Sequence, residues 1–271
     1  MLSAIVLTHN DGKILSRCLA SVTWCDEVIV VDDDSTDETV GVAKKFGVTV
    51  FARSLNNDFA AQRNFGLSKA KSDWVLFVDS DEVVSEELAK EISSIVLMPN
   101  AKCQMLNGWN LKRKDYFLGT WLAHGETANV KLLRLAKKDA GRWQRPVHEV
   151  WSPFAAPSPK RLWRVGDKAS GDKKRIGELH YPLFHFPHPN VAQFLEEINR
   201  YSSLNAQFLY RKNIGVRWWQ IVAYPAAKFF VNYIIRLGFL DGTAGAVVAI
   251  MMSFHSFLVR AKLWQLRDTK A

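Results

Sequence analysis

The sequence predicts an α/β protein: a mostly parallel, Rossmann-like sheet, followed by a C-terminal helical extension suited to a membrane surface. Three observations lead there. Short β-branched runs alternate with helically spaced apolar residues over the first hundred positions. Three acidic or polar clusters each follow such a run directly. The last sixty residues hold two strongly apolar helical segments.

In chain order, Ile5-Val6-Leu7 reads as a first strand, followed by the polar turn Thr8-His9-Asn10-Asp11-Gly12. A helix is expected through Ile14, Leu15, Cys18, Leu19 and Val22. Val28 to Val31 forms a second strand, with a helix from about Thr39 to Phe46. Val48 to Phe51 gives a short third strand. A helix from about Phe59 to Ala70 then precedes the apolar run Trp74 to Val78. This alternation implies βαβ units. Residues 101–190 carry shorter runs, Gln104 to Trp109 and Val130 to Leu135, among many Gly, Pro, Trp and Lys; 155–160 and 165–175 read as exposed, mobile loops. Helical spacing returns from Val191 to Arg211. Two apolar helices are expected from about Val216 to Leu240 and Thr243 to Leu258. The second is short for a span of roughly 20 residues and the first contains Lys228 and Arg236, so a pair lying in the membrane interface fits better. A hairpin packed on the protein's own core is the alternative. The expected division is 1–190, with a nucleotide-binding half at about 1–100 and an acceptor half at about 101–190, and a helical region at 191–271.

A chain of 271 residues, 48% hydrophobic, can bury one large core with an appendage. Its three cysteines, Cys18, Cys25 and Cys103, lack metal-ligand spacing and read as buried thiols in a reducing compartment. The opening Leu2 to Leu7 has no basic region ahead of an apolar core, so no signal peptide is expected. The formal charge of +9 is uneven: residues 1–100 hold 9 Lys and Arg against 16 Asp and Glu, residues 101–210 hold 18 against 9, and residues 211–271 hold 9 against 2. The basic remainder suits an anionic surface. Its interleaving with apolar stretches favours lipid, and no nucleic-acid partner is expected.

The chemistry concentrates at Thr8-His9-Asn10-Asp11, Asp32-Asp33-Asp34-Ser35 and Asp79-Ser80-Asp81-Glu82. After parallel strands all three face the crevice where open α/β sheets bind ligands. Crowded carboxylates need a cation among them, and Mg²⁺ or Mn²⁺ is commonly held by one or two carboxylates plus substrate phosphates. A helix cap built from Ser80, Asp81, Glu82 and Ser85 is the plainer alternative. No Gly-x-Gly-x-x-Gly and no Gly-Lys-Ser/Thr loop is present, which argues against dinucleotide and P-loop enzymes.

Taken together, the opening strand with Thr8-His9-Asn10, Val30 to Thr39, Gln62-Arg63-Asn64-Phe65-Gly66 and Asp79-Ser80-Asp81 resemble the family 2 glycosyltransferases, which have the GT-A nucleotide-diphosphosugar fold. Glu82 departs from the Asp found in many members. The resemblance covers roughly the first 150 residues and implies a nucleotide-diphosphate sugar donor, with UDP-sugars foremost. By it, Asp32 bonds the base, Thr8 and Arg63 lie near base and ribose, Asn10 and Asp34 join the donor site, Asp79 lies near the ribose and Asp81 binds the metal. Glu149, in Arg142 to Trp151, resembles the Val-His-Glu element of bacterial lipopolysaccharide core glucosyltransferases and is the expected catalytic base. A surface Glu in a strand is the alternative there, as an exposed helix position is for Arg63. His180, His185 and His188 read as loop histidines or as a late contribution to the metal site, and none is assigned.

Lys228-Phe229-Phe230, Tyr233 to Arg236 and Gly238 to Gly242 resemble the tail of the same subgroup. The expected protein is an inverting, metal-dependent glycosyltransferase, peripheral or monotopic at the cytoplasmic face of the inner membrane. It would pass a sugar, with glucose the candidate, to a lipid-linked glycan acceptor. A nucleotidyltransferase of similar architecture and a non-catalytic membrane scaffold remain as alternatives.

Overall fold

The computed structural model describes residues 1–97, 106–128, 130–145, 149–153 and 176–268. The expected loops at 155–160 and 165–175, Cys103, the start of the Gln104 run, and Val147 and His148 lie outside them. The strands and helices in chain order are β1 (Leu2–Thr8), α1 (Leu15–Ala20), β2 (Glu27–Asp32), α2 (Thr39–Lys45), β3 (Thr49–Ala52), α3 (Phe59–Lys69), β4 (Trp74–Asp79), β5 (Glu82–Val84) and α4 (Glu86–Leu97). After them come β6 (Gly108–Phe117), β7 (Thr120–Trp121), β8 (Lys131–Lys137), β9 (Gly141–Gln144), β10 (Val150–Pro153), β11 (Ile176–Glu178) and β12 (Leu183–His185). Three helices close the chain: α5 (Val191–Arg211), α6 (Trp218–Phe230) and α7 (Gly242–Asp268).

The chain forms two compact units, Met1–Lys112 with Lys131–Phe184, and Arg113–Val130 with His185–Ala271. The expected cut at 190 therefore falls near the second crossing at Phe184. The segment 113–130, expected with the sheet, groups with the helices because Phe117 and Leu122 pack among Phe194, Ile198, Val248 and Met251.

In the first unit the sheet runs β3-β2-β1-β4-β8-β6-β12-β5. Strands β3, β2, β1 and β4 are parallel, and β8 joins β4 antiparallel. Both faces are covered, which is why the strand runs are continuously apolar. Leu2, Ala4, Val6, Val30, Leu76 and Val78 meet Leu15, Leu19, Leu88 and Ile92 from α1 and α4. On the other face Ile5, Ile29, Val31, Val75 and Phe77 meet Ala60 and Leu67 of α3 with Trp143 and Trp151. Helix α3 lies close on β1 because position 66 is glycine: a Cβ there would stand 2.5 Å from Ile5 Cγ2.

In the second unit α5 matches its expected span, capped by the Asn190 side chain accepting from the Gln193 N–H at 2.9 Å. The expected helix from 216 to 240 is broken. It is α6, then a π-turn over Val231–Ile235, then Leu237 in the left-handed region at φ 57° and a 3₁₀ turn over Gly238–Asp241. The expected short helix from 243 is instead the 27-residue α7. Within Gly238–Asp268 an 18-residue window has a mean hydropathy of 1.6, and the stretch is long and apolar enough to cross a membrane by length and composition. One face of α7, including Ala244, Val248, Met251 and Val259, is buried, whereas no side chain of α6 is.

Candidate active site

Parallel pairing puts three strand ends at one edge. Thr8 is registered with Asp32 across β1 and β2, and Leu7 with Asp79 across β1 and β4. The chain past each end is tied to its neighbours. Asp11 Oδ2 accepts from Thr8 Oγ1 at 3.0 Å, the His9 N–H at 3.0 Å and Ser80 Oγ at 2.5 Å. Asn10 is left-handed at φ 56°, a conformation that Asn tolerates; its Oδ1 accepts from the Thr36 N–H at 2.8 Å. Asp34, at φ 48°, takes the Ser54 hydroxyl, and Asp33 Oδ1 takes the Leu55 N–H at 2.7 Å.

Asp32 is the informative member. Its Oδ2 accepts from the Ser35 N–H at 3.0 Å. Oδ1 is buried and has no partner within the described residues. A buried acceptor left unsatisfied is costly in a folded protein and calls for an explanation; a ligand N–H is one.

The acidic turn after β4 is compensated by two guanidiniums. Arg63 Nη2 donates to Asp79 Oδ1 at 2.8 Å and Oδ2 at 3.1 Å, and its Nε donates to Glu149 Oε1 at 2.8 Å. Arg134 Nη2 donates to Asp79 Oδ2 at 2.5 Å and Glu82 Oε1 at 2.7 Å. Glu82, wholly buried, also accepts from the Asp79 N–H at 2.9 Å, which closes the turn. Burial by itself would raise the Asp79 pKa, but Arg134 and then Arg63 outweigh it and hold the carboxyl well below the usual carboxylate range. Burial would lower the Arg134 pKa, and Asp79 and Glu82 together push it above its ordinary value.

The cation called for by crowded acids is thus supplied, for Asp79 and Glu82, by the protein's own arginines. Asp81 stays half-exposed. Among the described residues no three His, Cys, Asp or Glu side chains are grouped to hold a metal. A divalent cation at this turn would have the Asp81 carboxylate and would take its other ligands from substrate phosphates, the mode in which Mg²⁺ is commonly bound. The capping alternative is realised three residues later: Ser85 Oγ accepts from the Leu88 N–H of α4 at 3.2 Å.

Helix α3 explains Gln62-Arg63-Asn64 residue by residue. Gln62 Nε2 donates to the Arg53 carbonyl at 2.7 Å. Arg63, expected near base and ribose with an exposed helix position as the alternative, is 3% exposed and spans Asp79 and Glu149. Asn64 exchanges two bonds with the Trp143 backbone, Nδ2 to O at 2.8 Å and N–H to Oδ1 at 3.0 Å, fixing β9 against α3.

The three histidines do not form one cluster. His180 pairs with Glu91 at 2.7 Å, His185 with Asp115 at 2.9 Å, and His188 stacks on Phe194 with centroids 4.0 Å apart. Both described cysteines are free, Cys18 buried and Cys25 partly buried. Burial, then Glu82, pushes the Cys18 thiol up, and burial, then Asp26, pushes Cys25 up to about 12. Sequence reasoning missed Arg134 and left Glu82 without a role. A lone arginine inside Leu132-Leu133-Arg134-Leu135 was the available signal, because a charge on a buried strand needs a partner.

Residues 3–95 match the family described as Glycosyl transferase family 2. The chain is 25% identical over 277 residues to a lipopolysaccharide core biosynthesis glycosyltransferase, LpsC, from Rhizobium meliloti, covering 100% of this chain and 94% of that protein. It is 27% identical over 273 residues to an uncharacterized glycosyltransferase from Rickettsia felis, covering 97% and 89%. Among solved structures it is similar to the mannosyltransferase PcManGT from Pyrobaculum calidifontis in complex with GDP-Man and Mn²⁺, with TM-score 0.51, 12% identity, and coverage of 97% of this chain and 86% of that one.

Proposed function

From the match of residues 3–95 to the Glycosyl transferase family 2 model, we propose that the chain is an inverting family 2 transferase of the GT-A fold that moves a hexose from a nucleotide-diphosphate sugar to a lipid-linked glycan. The unpartnered buried Oδ1 of Asp32 at the end of β2 carries this reading. It is an acceptor waiting for an N–H of the kind a uracil or guanine ring offers. UDP-glucose is the first donor to test, and the lipopolysaccharide core is the acceptor that the Rhizobium relative's name suggests.

In this reading Asp32, with Thr8, Asn10 and Asp34 around it, receives the nucleoside. Asp79, held ionised by Arg134 and Arg63, lies on the ribose side. A divalent cation held by Asp81 and the diphosphate would stabilise charge developing on the leaving group. Glu149 takes the proton of the acceptor hydroxyl. Arg63 engages its Oε1, which orients the carboxylate and leaves Oε2 for the acceptor. Attack from the face opposite the diphosphate inverts the anomeric carbon. Exposed Trp218, Trp219 and Trp264 and the basic residues near them support residence at an anionic bilayer surface, the cytoplasmic leaflet of the inner membrane, where each Lys or Arg contributes about 1 kcal/mol.

The test is donor turnover with purified full-length protein. Glu149→Gln should lower kcat by about 10² to 10⁴, the range for losing a general base, and Asp81→Ala should abolish the response to added Mn²⁺. Release of pyrophosphate instead of a nucleoside diphosphate would identify a nucleotidyltransferase. Cellular glycan left unchanged when Asp81 or Glu149 is replaced with Ala would leave only a scaffold.

A further inference from the structure

Within the second unit a cavity of about 310 Å³ is lined by Ala123, His124, Gly125, Glu126, Ala128 and Arg236. Its loop is held with unusual thoroughness. The Asp241 carboxylate, expected only as a separator between helices, is 8% exposed and accepts from the Ala123 N–H at 3.1 Å, the His124 N–H at 2.8 Å and His124 Nδ1 at 2.7 Å. Glu126 is fixed by Asn232 Nδ2 at 3.0 Å and Lys228 Nζ at 3.1 Å. The Gly125 N–H donates to the Arg236 carbonyl at 2.9 Å.

The opposing backbone departs from regular helix at this place. It carries the π-turn Val231–Ile235 and left-handed Leu237. Gly238 belongs to the same corner, since a Cβ there would stand 2.7 Å from the Asn232 carbonyl oxygen. Single π-turns and left-handed non-glycine residues recur at functional sites. Glu126 is paired with Lys228, and Asp241 is held by His124 Nδ1 and two backbone N–H groups. Arg236 is left over. Its Nη1 donates to Asn232 Oδ1 at 3.2 Å, and among the described residues it pairs with no carboxylate. Exposed Ile234, Ile235, Leu237, Phe239 and Leu240 flank it in sequence.

We propose that this cavity takes the phosphate of a membrane lipid headgroup on the Arg236 guanidinium, with the flanking apolar side chains entering the acyl region. A guanidinium with no carboxylate partner among the described residues, set over a preorganised polar cavity, suits a phosphate monoester, which it can engage through two N–H groups, and the apolar border selects a lipid phosphate over a free one. The proposal deepens the lipid-linked acceptor reading and names the group by which that lipid is held.

The experiment is co-flotation of the full chain with phosphatidylcholine vesicles, with and without phosphatidic acid. Wild type should prefer the phosphatidic acid vesicles. Arg236→Ala should lose that preference by about tenfold or more, the scale of one charge-assisted pair, and Arg236→Lys should fall between. Lys212→Ala, whose ammonium sits over the Phe208 ring, should lose about fivefold or less, as diffuse surface charge does. Equal losses at 212 and 236, or an undiminished preference in Arg236→Ala, overturn the proposal. So does stabilisation by inorganic phosphate, through Arg236, in a protein that binds both vesicle types alike. A melting curve matching wild type certifies the fold of the variant. Nucleoside diphosphate release, measured in parallel, separates the two readings: its absence from wild type sinks the transferase reading, whereas its presence beside Arg236-independent vesicle binding sinks this one alone.

Discussion

Around Asp79 the first unit withdraws three charges from water and pairs them, whereas along Trp218–Leu240 the second unit leaves its apolar side chains exposed and spaces its cations among them. Arg63, Arg134 and Glu82 are each at most 4% exposed. By contrast Trp218 stands at 71%, Ile235 at 63% and Leu240 at 56%. Burying charge costs several kcal/mol per ion unless geometry recovers it, and exposing a contiguous apolar patch invites another surface to cover it. The first arrangement preorganises carboxylates for a ligand. The second leaves apolar surface that the unit itself does not cover.

The largest break in that contrast should come from Arg134→Met. It removes the guanidinium that Asp79 and wholly buried Glu82 share, leaving Asp79 with Arg63; breaking a buried pair in this way typically costs about 3–5 kcal/mol. Urea unfolding of the purified chain measures it. A loss below about 1 kcal/mol would mean the clamp is not what holds the turn after β4.

Acid sharpens the same point. The folded Asp79 pKa is depressed, so its stabilising contribution is complete above the ordinary carboxylate range near about 4 and is lost as pH falls from there toward the lower folded value. The unfolded chain takes up the proton first. Wild type should therefore lose more stability than Arg134→Met on going from pH 7 to below the carboxylate range, and the gap between the two should narrow. Parallel urea titrations at several pH values read this directly, and a gap that widens on acidification has the sign wrong.

Much of the first unit was legible because its signals are local. Val30 to Asp32 and Phe77 to Asp79 announce apolar strands ending in acid, and Gln62 to Gly66 lies within one helix. What escaped notice depends on pairing across long separations. Glu82 could not be told from a cap without Arg134, 52 residues away, and Asp241 looked like a turn residue because its donors sit at 123 and 124. The break after α6 was hidden for a related reason: composition through Tyr233 and Ile235 stays helical, while close backbone approach at Gly238 decides otherwise. The length of α7 was underread because Arg260, Lys262 and Arg267 look like an end to an apolar segment, although Leu263 among them is still buried.

The smallest expected change in stability is the most discriminating for the helices. Ile235→Ser with Leu240→Ser removes two exposed apolar side chains that the folded chain does not bury, so the unfolding free energy should move by no more than about 0.5 kcal/mol. Each side chain that enters an acyl layer contributes about 1.5–3 kcal/mol when fully buried, so vesicle binding should fall by about tenfold or more. Co-flotation beside urea unfolding reads both quantities on one preparation. If stability drops by 2 kcal/mol or more while vesicle binding holds, those residues serve the protein's own core and the contrast with the strand ends collapses. An undisturbed fold with lost vesicle binding assigns the exposed surface to lipid, because a side chain that contributes to binding but not to folding must be buried by something outside the chain.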